Sequence, residues 1–114
     1  MAVQCTDLES GIRHVSVDGR LDSVGSDEIG TKFAVLVAGA AKRVVIDLTS
    51  VSFLSSIGIR LIVQNAKGLQ SRGGRVAIYV GNNEQVTKTL ELTGISTLIP
   101  IFADLGQANQ AVLA

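Results

Sequence analysis

Hydrophobic and polar residues alternate at the start of the chain, Val3 and Cys5 with Gln4 and Thr6, then Val15 and Val17 with Ser16 and Asp18. A period of two turns one face of each segment toward a core, so both are predicted strands. Ser10-Gly11 between them is a turn signal, which predicts an N-terminal hairpin. The runs Arg43 to Leu48 and Arg75 to Val80 are short and β-branched, as expected of strands buried on both faces. Thr97 to Phe102 is a third such run, and Pro100, which lacks an N–H, predicts that it lies at an edge or ends early.

Between these strands the period changes. Ile29, Phe33, Leu36 and Val37 make a helical stripe, predicting a helix from about Ser23 to Ala38. A second begins near Ile57, with Ile59, Ile62, Val63, Ala66 and Leu69 on one face, Arg60, Gln64, Lys67 and Ser71 on the other, and Gly73-Gly74 as its stop. Asn82 with Gln85 resembles a capping box for a helix through Val86 and Leu90 to Gly94. Asp104 with Gln107 opens a last one through Ala108 and Val112. The expected fold is α/β: a hairpin, then alternating helices and strands, giving a mostly parallel sheet packed with about four helices.

Length and composition narrow the rest. The 114 residues fit a single domain spanning 1–114. Apolar residues at 46% and charged ones at 18% exclude disorder. Ten basic residues balance ten acidic ones, so no basic footprint for nucleic acid or anionic lipid is visible. One Cys makes no internal disulfide, and Cys5 with His14 is too small a set for structural zinc. The N-terminus does not read as a signal peptide, and the run Phe33–Ala41 is too short to span a bilayer. A cytoplasmic chain without membrane insertion is expected.

Catalytic signatures do not emerge. No P-loop, dinucleotide fingerprint, nucleophile elbow or S-x-x-K occurs, so no catalytic, cofactor or metal site is expected. His14 opposes Val15 and Val17 on strand alternation and reads as a surface residue. Cys5 reads as a small buried hydrophobe. Asp27-Glu28 reads as first-turn carboxylates complementing a helix dipole.

One segment stands apart: Val51-Ser-Phe-Leu-Ser-Ser-Ile-Gly-Ile59, between a strand and the second helix. In open α/β sheets, function collects at such junctions. Ser55 and Ser56 sit where an N-cap is wanted, and Gly58 allows close packing. A hydroxyl at an exposed helix N-terminus also tolerates a phosphoryl group. Both readings stand on these residues.

Here the chain resembles the STAS domain family of sulfate transporters and anti-sigma factor antagonists. The resemblance runs through Gly19-Arg20-Leu21-Asp22, Val45-Ile46-Asp47-Leu48, the Val51–Ile59 segment, Gly73-Gly74-Arg75-Val76 and Thr93-Gly94-Ile95. It implies the fold above and a protein-binding switch that docks on an anti-sigma factor, usually also a serine kinase. The kinase phosphorylates a Ser in an Asp-Ser-Ser/Thr-Gly motif and a phosphatase reverses it. On this chain Gly58 matches the Gly and Ser56 the acceptor. Ser55 stands in place of the Asp and Ile57 in place of the second Ser/Thr.

The resemblance thus implies Ser56, or failing it Ser55, as phosphoacceptor. It implies a docking face of Asp22, Ser23, Ser55, Ser56, Ile57, Gly58, Arg60 and Gln64. The same family implies an alternative, a STAS subunit docking without phosphorylation on a membrane system such as a lipid-transport ABC complex. Nucleotide binding finds no cradle beyond the helix N-terminus at Ser55 to Gly58. A homodimer is open, since Leu98, Ile99, Ile101 and Phe102 fit either a core or an interface.

Overall fold

A computed structural model describes residues 2–39 and 42–114, leaving the last two residues of the Phe33–Ala41 run outside the described residues. The hairpin forms as the alternation predicts: β1 (Ala2–Asp7) runs antiparallel to β2 (Arg13–Leu21). Then follow α1 (Ser23–Ala38), β3 (Arg43–Leu54), α2 (Ser56–Ser71), β4 (Arg75–Tyr79), α3 (Glu84–Thr93), β5 (Ile101–Phe102) and α4 (Leu105–Leu113). The sheet order is β1-β2-β3-β4-β5, parallel from β2 onward.

The alternation within β3 explains the layers. Val44, Ile46 and Leu48 point into a core shared with Ile29, Phe33 and Val37 of α1, Ile62, Ala66 and Leu69 of α2, and Val86 and Leu90 of α3. Val45 points the other way, into a smaller cluster with Ile12, Ala77, and Ala108 and Val112 of α4. Burial on both faces is what the β-branched runs require. Among the described residues no helix is long and apolar enough to cross a membrane.

Several expectations need correction. β3 continues past Leu48 to Leu54, so Val51–Leu54 is part of the strand rather than a segment that follows it. Its second half pairs only with β2, across register shifts that place Val51 and Leu54, three positions apart, both in the core. The last strand shrinks to Ile101–Phe102 at the sheet edge, because Ile95–Thr97 forms a 3₁₀ turn and Pro100 cannot donate to a ladder. There Ile99 is core, Ile101 and Phe102 are half-buried, and Leu98 is exposed.

The α3 cap is Asn83, not Asn82: its side chain accepts the Val86 N–H. Its amide also donates to the carbonyls of Leu48 (3.0 Å) and Val51 (2.8 Å), serving β3 where β4 has ended. Asp27 and Glu28 lie in the second turn of α1, since its cap is Asp22. Cys5 is exposed on the edge strand, and burial, then the nearby Asp7 carboxylate, push its thiol up, which disfavours the reactive thiolate. His14 is not a free surface residue. Its Nε2 lies 2.8 Å from an Asp47 carboxylate oxygen, with both side chains largely covered.

Candidate functional site

The C-terminal ends of β2 and β3 lie side by side, so the two helices that follow them start together. Asp22 caps α1, its carboxylate accepting the Gly25 N–H at 2.9 Å. Ser55 caps α2, its hydroxyl accepting the Gly58 N–H at 3.2 Å. The two junctions are stitched to each other, because both the Ser55 hydroxyl (2.7 Å) and its N–H (3.1 Å) donate to the Leu21 carbonyl.

Gly58 explains how close they come. A Cβ there would lie 2.5 Å from Leu21 Cδ2 and 2.6 Å from the Leu21 carbonyl oxygen, so only glycine lets the first turn of α2 sit on Leu21. Gly58 is therefore buried, a packing residue beneath the face rather than a contact on it. Around it Ser23, Ser56, Ile57, Arg60 and Gln64 are exposed, and Asp22 and Ser55 are half-buried.

The two serines have separate work. Ser55 has both its donor and its acceptor engaged in the fold. Ser56, the first residue of α2, projects to solvent, and its hydroxyl makes no hydrogen bond among the described residues. The N–H groups of Ser56 and Ile57 are likewise without acceptors among the described residues, as expected for the first turn of a helix. Positive partial charge therefore points outward beside the free hydroxyl.

Electrostatics at the rim are mixed. The Gly25 N–H first of all, and the Arg20 guanidinium after it, hold the Asp22 carboxyl below the usual carboxylate range against a smaller upward push from burial. Arg20 reaches an Asp22 oxygen at 3.4 Å and lies over the Phe53 ring, 4.5 Å from its centre. Two exposed apolar side chains, Val24 at 65% and Ile57 at 45%, stand in the first turns of the two helices. Apolar contacts within a polar rim are the composition of protein–protein surfaces.

Sequence reasoning missed three parts of this surface. Val24 and the Arg20–Phe53 pair carry no signal in the sequence, since the exposure of Val24 depends on how α1 docks and only the pairing of β2 with β3 sets Arg20 over Phe53. The third is a groove of about 340 Å³ between α1 and α2, lined by residues that include Ser26, Gly30, Ile57, Arg60, Leu61 and Gln64. The i, i+4 spacing of two small residues, Ser26 and Gly30, was its only trace in the sequence.

Fold and junction together define a STAS-type domain, and the comparisons agree. The sequence profile of the STAS domain matches residues 6–108, and the chain belongs to that family. It is 26% identical over 95 residues to the anti-sigma-B factor antagonist of Listeria monocytogenes, covering 83% of this chain and 82% of that protein. The crystal structure of an anti-sigma factor antagonist from Mycobacterium paratuberculosis superposes with a TM-score of 0.87 at 26% identity, covering 99% of this chain and 94% of that one. The Bacillus cell fate determinant SpoIIAA in its phosphorylated form superposes at 0.68 with 17% identity, covering 96% of this chain and 98% of its own. Its unphosphorylated form gives 0.74 at 18%, covering 96% and 95%.

Proposed function

We propose that this protein is an anti-sigma factor antagonist whose docking face is the paired N-terminal ends of α1 and α2, with Ser56 as its phosphorylation site. The observation that carries the reading is the division of labour between the serines: Ser55 is consumed in capping, which leaves Ser56 exposed and free to accept. The relatives named anti-sigma factor antagonists and the two forms of SpoIIAA support it.

The partner is an anti-sigma factor that is also a serine kinase, with a serine phosphatase to reverse the mark. In the phosphorylation step the Ser56 oxygen attacks the terminal phosphorus of a nucleoside triphosphate. A new O–P bond forms, the bond to the nucleoside diphosphate breaks, and the hydroxyl proton is released. The product carries about −1.5 to −2 charges in the middle of the docking face. Accommodating that charge in a desolvated interface opposes binding by several kcal/mol, a loss of at least about a hundredfold in affinity.

Tagged wild-type and Ser56→Asp proteins would be used to capture partners from a lysate of the source organism, with identification by mass spectrometry. Recovery of an ATP-binding serine kinase by wild type and not by Ser56→Asp is the expected result. Recovery of transporter subunits by both proteins would overturn the phosphorylation switch and assign the face to a membrane system.

A further inference from the structure

Helix interiors disfavour glycine, yet α1 and α2 each carry one where they face each other, Gly30 and Gly68. Neither has a positive φ. A Cβ at Gly68 would rest 3.9 Å from the Ala38 methyl, and one at Gly30 would meet nothing closer than Leu61 Cδ1 at 4.0 Å. These are ordinary contact distances, so packing excludes a methyl at neither site. At Gly30 the missing side chain instead opens the groove beside Ser56.

That groove has the character of a receptor. Ile57 and Leu61 give it an apolar wall, and the bare backbone of Gly30 faces them. Ser26 forms part of its floor and is nearly covered (6% exposed), with its hydroxyl oxygen buried beneath the surface and without a hydrogen-bond partner among the described residues. Arg60 on the α2 side and Asp27 on the α1 side make no ion pair among the described residues. The rim thus offers one charge of each sign around a slot walled on one side by Ile57 and Leu61.

We propose that Gly30 is kept open as a specificity pocket, filled on docking by one aliphatic side chain of the anti-sigma factor. Charge complementarity fixes the setting of that side chain. It is flanked in the partner by an acidic residue that meets Arg60 and a basic one that meets Asp27. This rests on the docking reading above and deepens it, by making α1 a determinant of which partner is accepted.

The test compares Gly30→Ala, Gly30→Leu and Gly68→Ala in affinity for the anti-sigma factor that the wild-type chain captures, with thermal midpoint and sedimentation measured alongside. Replacing a helical glycine should leave Gly30→Ala and Gly68→Ala at least as stable as wild type, by about 3 °C. Gly30→Ala should bind about tenfold more weakly, the effect of one methylene in a fitted pocket, and Gly30→Leu at least about a hundredfold. Gly68→Ala should bind as wild type does. Folded Gly30→Ala and Gly30→Leu proteins that bind within twofold of wild type would overturn the pocket alone. A wild-type chain that retains no anti-sigma factor would overturn the docking reading and this one with it. Loss of a wild-type dimer in Gly30→Leu would make the occupant a second copy of this chain, which also overturns the proposal.

Discussion

Two strand-to-helix junctions stand at the same end of the sheet and are built alike up to a point. At each, one side chain caps the new helix and also ties it to a neighbouring strand. Asn83 does this for α3, accepting the Val86 N–H while donating to the Leu48 and Val51 carbonyls. Ser55 does it for α2, accepting the Gly58 N–H while donating to the Leu21 carbonyl. After Asn83 comes Glu84, an acidic residue in the first turn that complements the dipole. After Ser55 comes a second hydroxyl that the fold does not use. A junction that only closes a fold needs one capping group, and a surplus one on an exposed helix N-terminus is what function can take.

If that contrast is right, removing the capping groups should cost stability in proportion to the bonds each one makes. Asn83→Ala should have the largest effect, about 3 kcal/mol in denaturant unfolding, since it removes a cap and leaves the carbonyls of Leu48, Thr49 and Val51 without their donor. A loss under 1 kcal/mol would mean that other groups replace Asn83 and that this junction is no more committed than the other. Ser55→Ala should cost about 1.5 kcal/mol by the same reasoning, with one cap and one carbonyl at stake. Ser56→Ala should stay within about 0.5 kcal/mol of wild type. Equal losses for the two serines would erase the division of labour on which the proposed phosphorylation site rests.

The contrast was only half legible in the sequence. The helical stripes and β-branched runs gave the order of elements and the bounds of α1, because periodicity reports a local, repeated property. The motif at Ser55 to Gly58 was visible as well, although which serine is consumed depends on the Leu21 carbonyl, 34 positions away in the chain. Polar Thr49-Ser50 disguised the second half of β3, a segment that is strand only because β2 pairs with it. Asn82 and Asn83 are equivalent by composition, and geometry at the end of β4 chooses between them. His14 looked free because its partner Asp47 lies on a neighbouring strand. The groove at Gly30 had no signature of its own, since it is a property of two helices packed together.

A finer distinction separates the two regions by charge. Asn83 has no titratable group, whereas beside the Ser55 junction Asp22 caps α1, its carboxyl held below its ordinary range chiefly by the Gly25 N–H. A carboxyl with a depressed folded pKa stabilises the protein above its unfolded value, about 4, and loses that contribution as the pH falls through the folded one. The paired starts of α1 and α2 should therefore loosen in acid before the Asn83 junction does. Asp22→Asn keeps a capping oxygen and removes the charge, so its thermal midpoint should fall below that of wild type at pH 7 and approach it at pH 3. The gap should be smaller than the losses from Asn83→Ala and Ser55→Ala, because solvent screens the Asp22 charge. A gap of the same size at both pH values would place the stabilisation in the shape of the cap, and the two junctions would then differ only in the hydroxyl that one of them leaves free.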